Sequence, residues 1–158
     1  VVGYMDRVFP TVKQARGRAA AGLSMGGFGA LLLGLKHPDV FSAVSAHSSA
    51  ILPPEKLAER PALRPIIPFL KKKENDIFAL ARKAARRRNR PALRLDCGLD
   101  DTLLDGSRRF HAHLEKIGYP HRYDEHPGNH NWDYWDEHVR ETLDFVLAHT
   151  RRQERRIG

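Results

Sequence analysis

The pentapeptide Gly22-Leu23-Ser24-Met25-Gly26 sets one hydroxyl between two glycines, after a run of small and apolar residues and ahead of a helical pattern. A serine hydroxyl is a weak nucleophile at neutral pH and needs a base within hydrogen-bond reach. Placed on a tight strand-to-helix turn, its Oγ stands clear of the backbone, at the cost of needing small residues two positions before and two after. Gly22 and Gly26 meet that demand, and Gly27 and Gly29 are read as allowing the helix to lie close to the sheet. A helix starting after Ser24 aims its first N–H groups and its positive dipole end at the same spot, so the Met25 N–H is the expected oxyanion-hole donor. A chance match to this pattern arises in about 5% of chains of this length, so the motif needs its partners.

Those partners are expected in the chain order serine, acid, histidine. Asp101 closes the stretch Cys97-Gly98-Leu99-Asp100-Asp101 just past a strand-like run, and His130 sits in the loop Pro127-Gly128-Asn129-His130-Asn131-Trp132. Loops at the carboxyl ends of parallel strands are where such groups gather. In this reading His130 takes the proton from Ser24 and returns it to the leaving group. The acid fixes the imidazole tautomer and stabilises its charged form. Trp132, two residues past His130, is read as a substrate contact.

The elements that must carry these residues alternate between strand and helix patterns, which predicts an α/β fold with a mostly parallel sheet. Arg18 to Leu23 reads as a strand. Phe28 to Lys36 reads as a helix with Leu31, Leu32 and Leu35 at helical spacing, stopped by His37-Pro38. Phe41 to Ser48 is the next strand. Residues 50–75 hold Pro53, Pro54, Pro61, Pro65 and Pro68, which forbid a long regular element and predict an irregular excursion. A basic amphipathic helix is expected next, with Ile77, Leu80, Ala81 and Ala84 on one side. Ala92 to Cys97 reads as a buried strand. Asp105 or Ser107 is the expected cap of a helix carrying Phe110, Leu114 and Ile117 and ending at Gly118. His121 to His126 is a shorter strand. The last helix spans about Trp132 to His149, with Trp135, Val139, Leu143 and Val146 three to four residues apart, and both tryptophans are expected to pack it on the sheet.

The segments GLSMGGFGALLLGLKHPDVFSAVSAHSS, NDIFALARK and LDCGLDDTLLDGSRRFHAHLEKIGYPHRYDEHPGNHNWDYWDEH resemble the esterase D group of α/β-hydrolase esterases. That group includes S-formylglutathione hydrolases, feruloyl-type esterases and mycolyltransferases. The similarity runs from about residue 15 to 149. The group's Cys-Gly-x-x-Asp pattern falls on Cys97, Gly98 and Asp101, which favours Asp101 over Asp100. Its Pro-Gly-Gly-His-x-Trp pattern falls on Pro127 to Trp132, with Asn129 replacing the second glycine; Asn also tolerates a positive φ. The resemblance implies a three-layer α/β-hydrolase whose serine strand lies mid-sheet, with several strands ahead of it. Only about twenty residues precede Ser24, so residues 1–158 are expected to form a partial domain without its N-terminal strands. Within it, 50–90 would be a Pro-rich, basic, lid-like insertion and 150–158 a basic tail. A second oxyanion donor would then come from elsewhere, and losing one such donor typically costs about 10²–10³ in kcat. The unpaired serine strand is expected to seek a homo-oligomer or a complementing N-terminal half.

The implied activity is hydrolysis of a carboxylic ester or thioester through an acyl-enzyme on Ser24, with a small-molecule substrate and no cofactor. The alternatives are an acyltransferase of the same group and an interaction module that keeps these residues without a complete site. A third is a basic protein that adheres to nucleic acid. With 27 Lys and Arg against 19 Asp and Glu, the net charge is +8. The charge crowds Lys71 to Arg94 and Arg151 to Arg156, read as a solvated face and a tail; no nucleic-acid motif accompanies it, so specific nucleic-acid binding is not expected. No metal is expected. Pro127 and Gly128 spoil a helical pairing of His126 with His130, and His111 and His113 diverge on one helix. Cys97, the single cysteine, reads as a small buried hydrophobe. No run of eighteen apolar residues suggests a membrane span, and a cytoplasmic location is the default expectation.

Overall fold

The computed structural model describes residues 1–53, 56–57, 59 and 61–154; Pro54 and the tail residues Arg155 and Arg156 lie outside the described residues. Four strands, β1 (Ala19–Leu23), β2 (Ala43–His47), β3 (Ala92–Gly98) and β4 (His121–His126), pair in parallel in sequence order. Helices α1 (Val2–Val8), α2 (Met25–Lys36), α3 (Ile67–Leu70), α4 (Ile77–Ala85), α5 (Leu104–Lys116) and α6 (Trp132–Glu154) lie between and around them. The Pro-rich excursion breaks into short pieces: 3₁₀ turns at Pro61–Ile66 and Lys73–Asn75 flank the single turn of α3. Asn75, buried, ties the excursion down. Its amide oxygen accepts from Lys36 Nζ at 2.7 Å and its amide nitrogen donates to the Phe69 carbonyl at 2.7 Å.

The two faces of the sheet differ because β2 and β3 alternate in step. Val44 pairs with Leu93 and Ala46 lies beside Leu95, and these point into an apolar core with Leu31 and Leu35 of α2, Ala81 of α4, and Phe110 and Leu114 of α5. Ser45 pairs with Arg94 and His47 with Asp96, and these point to the opposite face, under α6. Close approach of α2 to β2 depends on glycine at Gly34, where a Cβ would meet Val44 Cγ2 at 2.1 Å, and at Gly27, where it would meet Ser49 Oγ at 2.5 Å. The expectation for Gly29 was misplaced, since a Cβ there meets nothing within 4 Å.

Three further expectations are corrected. Neither Asp105 nor Ser107 caps α5: the helix starts at Leu104, and the Asp101 carboxylate takes the Leu103 N–H at 2.8 Å instead. Arg94 is not part of a solvated basic face but wholly buried, because strand alternation turns it inward to Asp96 and Glu141. On α6 the inward residues are Tyr134, His138, Thr142 and Phe145. Val139 is 40% and Leu143 55% exposed, although their spacing marked the helix correctly. No helix among the described residues is long and apolar enough to cross a membrane.

Candidate active site

Ser24 occupies the single residue between β1 and α2, with φ +54°. An L residue adopts that conformation only where its surroundings over-determine it. Here the Ser24 N–H donates to the His47 carbonyl at 2.9 Å, and its own carbonyl accepts the Ala50 N–H at 2.9 Å and the Phe28 N–H at 3.2 Å. The flanking glycines contribute unequally. A Cβ on Gly22 would lie 2.4 Å from the Gly26 carbonyl, whereas one on Gly26 would meet nothing within 4 Å. Crowding at this turn therefore falls on the strand side. Met25 opens α2, so its N–H belongs to a first turn whose amides lack intrahelical acceptors.

The acid and histidine loops are built as one unit. A Cβ on Gly98 would sit 2.4 Å from the Gly128 carbonyl, so the bare backbone at the end of β3 lets the histidine loop lie directly over it. The Asp100 N–H donates to Gly128 O and the Leu99 N–H to His126 O, each at 2.9 Å. Gly128 alone takes the positive φ of the turn, +135°. Asn129 does not adopt one, so its replacement of the second glycine needs no such tolerance, and its side-chain oxygen accepts the His130 N–H at 2.7 Å.

This scaffold brings together the three side chains singled out from sequence. His130 Nε2 lies 3.0 Å from Ser24 Oγ, and His130 Nδ1 lies 2.8 Å from Asp101 Oδ2. Asp101 is buried, its second oxygen held by the Leu103 N–H, while Asp100 is exposed and makes only its backbone bond to this loop. Trp132 is 73% exposed and stands edge-on to Trp135 at 5.3 Å rather than packing on the sheet, which corrects its expected packing role. Trp135 is the tryptophan against the histidine: its ring meets His130 edge-on at 4.9 Å, and its Nε1 donates to Ser48 Oγ at 3.3 Å. Cys97 lies buried near Asp101. Burial and that carboxylate push its thiol up to about 12, so it is protonated and inert at neutral pH.

Under these loops lies an ionic layer that sequence reading missed. Asp96 receives Arg94, His47 Nδ1 and, at 3.0 Å, the Tyr134 hydroxyl. Burial would raise its carboxyl, but His47, Arg94 and Tyr134 outweigh that and hold it below the usual range. Glu141 of α6 pairs with Arg94 and accepts from His138 Nδ1 at 3.0 Å, and these contacts, against burial, hold it down to about 2. Thr142 joins Ser45 and His47 to the same layer. The available signal was two opposite charges, Arg94 and Asp96, at alternate positions inside an apolar strand.

His126, His138 and Glu141 present ligand-type atoms within 4.8 Å of one another. The two imidazoles, however, stack nearly parallel at 4.1 Å, and Glu141 already holds Arg94, with Arg122 at 3.6 Å. Parallel rings cannot both aim in-plane lone pairs at one ion, and two guanidiniums repel one, so the trio belongs to the ionic layer. His111 and His113 turn apart, to His121 and to the Phe78 carbonyl.

The family model described as "Putative esterase" matches residues 1–145. The chain belongs to that esterase family. It is 29% identical over 161 residues to an acetyl esterase of Caldicellulosiruptor saccharolyticus, covering 92% of this chain and 60% of the relative. Among solved structures, this esterase-family chain is similar to a ferulic acid esterase (31% identity, TM-score 0.79, 94% of this chain and 58% of that one). It is also similar to an S-formylglutathione hydrolase of Staphylococcus aureus (25% identity, TM-score 0.80, 92% of this chain and 60% of that one). These neighbours are α/β-hydrolase esterases, and their parallel sheet flanked by helices is the architecture seen here. The chain spans 60% of the acetyl esterase's length.

Proposed function

We propose that this chain acts as a serine hydrolase on small-molecule carboxylic esters or thioesters, through an acyl-enzyme on Ser24. The observation that carries the reading is the unbroken line from Asp101 through His130 to Ser24, with contacts of 2.8 and 3.0 Å. Such a line supports activation of the serine hydroxyl as a nucleophile. His130 Nε2 accepts the Ser24 proton as Oγ attacks the carbonyl carbon, and the oxyanion that forms faces the Met25 N–H. Collapse expels the alcohol or thiol, which takes its proton from His130. Water then enters by the same route in reverse roles and frees the acid. Asp101 keeps Nδ1 protonated and steadies the imidazolium, and its own bond to the Leu103 N–H holds it in place. Trp132, exposed at the same rim, is proposed to contact the substrate.

β1 is an edge strand of the described sheet, and Tyr4, Val8 and Phe9 are exposed. These features support pairing with further strands, from a second copy or a complementing N-terminal half.

Turnover of p-nitrophenyl acetate tests the reading. Ser24→Ala and His130→Ala should each lower kcat by at least about 10³-fold, and Asp101→Asn by up to about 10⁴-fold, with folding unchanged by circular dichroism. Turnover that survives Ser24→Ala would refute it.

A further inference from the structure

A groove of about 590 Å³ is lined by Met25, the residue after Ser24, and by residues of the Pro-rich excursion. Its inner end is formed by Met25, next to Ser24 in the chain, and Ala50, whose N–H holds the Ser24 carbonyl. Its walls are apolar, from Phe28 and Leu32 of α2 and from Ile66, Phe69 and Leu70 of the excursion. The composition changes at the rim. Lys71, Lys72, Lys73 and Arg109 line it, against one carboxylate, Asp76. Asp76 spends an oxygen on the Phe78 N–H at 2.9 Å, capping α4. Among the described residues, none of the four cations is ion-paired with a carboxylate. The lysine run is positioned by the fold, because the buried Asn75, separated from Lys73 only by the exposed Glu74, is pinned to Lys36 and to the Phe69 carbonyl.

An apolar trough that ends in cations without a carboxylate partner among the described residues favours one kind of occupant, an apolar body with an anion at its far end. The body loses its hydration against Phe28, Leu32 and Phe69. The anion meets positive charge at the wet end, where attraction costs little desolvation. We propose that the groove selects esters whose acyl chain carries a terminal anion, such as a carboxylate, so that the preferred substrates are half-esters of dicarboxylic acids. This rests on Ser24 being the nucleophile, since it orients the acyl group from Met25 toward the lysines.

The test compares 4-nitrophenyl hexanoate with the 4-nitrophenyl half-ester of adipic acid, which has the same chain length and leaving group. At low ionic strength kcat/KM should favour the anionic ester at least threefold, mainly through KM, and the ratio should fall toward one in 0.5 M NaCl. The variant Lys71→Gln/Lys72→Gln/Lys73→Gln should lose the preference. Arg82→Gln/Lys83→Gln/Arg86→Gln removes the same charge from α4 and its end, away from the groove, and should keep it. Equal ratios in the two variants would assign the effect to bulk charge and overturn the proposal. A neutral ester preferred by the unmodified protein would overturn it as well. Calorimetry with the matching 4-nitroanilides on Ser24→Ala separates this failure from that of the esterase reading. Tighter binding of the anionic anilide without any ester turnover would keep the groove and sink the nucleophile. Equal binding alongside hexanoate hydrolysis would do the opposite.

Discussion

The two faces of the four-stranded sheet solve the same problem with opposite chemistry. On one face Val44, Ala46, Leu93 and Leu95 meet the apolar sides of α2, α4 and α5. On the other, the neighbouring residues Ser45, His47, Arg94 and Asp96 meet Tyr134, Glu141 and Thr142 of α6. The apolar face is non-directional and tolerates small shifts. The ionic face fixes α6 through bonds that accept only one register, and α6 begins at Trp132, two residues after His130. Asp96 and Tyr134 thus anchor the strand before the acid and the helix after the histidine to each other. Positional precision near the candidate site therefore comes from the polar face, whereas the apolar face contributes non-directional burial.

Removing one charge from the ionic face should have the largest effect. Arg94→Ala leaves Asp96 and Glu141 facing each other without their shared cation, and urea unfolding should show a loss of about 3–5 kcal/mol. Leu95→Ala on the apolar face should cost about 2–5 kcal/mol, the cavity-dependent range for such truncations, while leaving ester turnover per folded molecule closer to normal. If Arg94→Ala is no more disruptive to turnover than Leu95→Ala, the division of labour between the faces is wrong.

Acid titration sharpens the same contrast. Glu141 has a depressed value in the folded state, about 2 against about 4.3 in an unfolded chain. Its contribution is therefore present above about pH 4.3 and is lost as pH falls toward 2. Glu141→Gln should lower stability at pH 7 by about 1–3 kcal/mol and flatten the fall in stability through that window, read from melts at successive pH values. An unchanged acid limb would remove Glu141 from the ionic layer. The smallest effect is expected on the outer side of α6. Leu143 is 55% exposed, so Leu143→Ser should change stability by less than about 0.5 kcal/mol.

Most of the site was legible because its constraints are local. Strand, glycine, serine, glycine and helix follow one another in the chain, and Gly98 and Gly128 mark where two loops touch. Strand β4 matched its expected bounds, and α2 began three residues earlier than expected because the helix starts directly at the serine turn. What stayed hidden depends on non-local partners. Apolar spacing found α6 but pointed to its wrong face, since His138 stacks on His126 of β4 and Thr142 bonds to His47 of β2, contacts that an apolar pattern does not mark. Arg94 looked like one more surface cation because its charge partners lie on the same strand and 47 residues away. Trp135 was read as packing, and its edge contact with His130 exists only once the loop folds back.

The central claim is that Ser24 is a nucleophile made reactive by His130. Incubation with a fluorophosphonate probe, followed by peptide mass spectrometry, tests it most directly. One covalent adduct is expected, on the peptide carrying Ser24, and it should disappear in His130→Ala although the serine is still present. Folded protein that takes up no probe, or a probe bound at another residue, would contradict it.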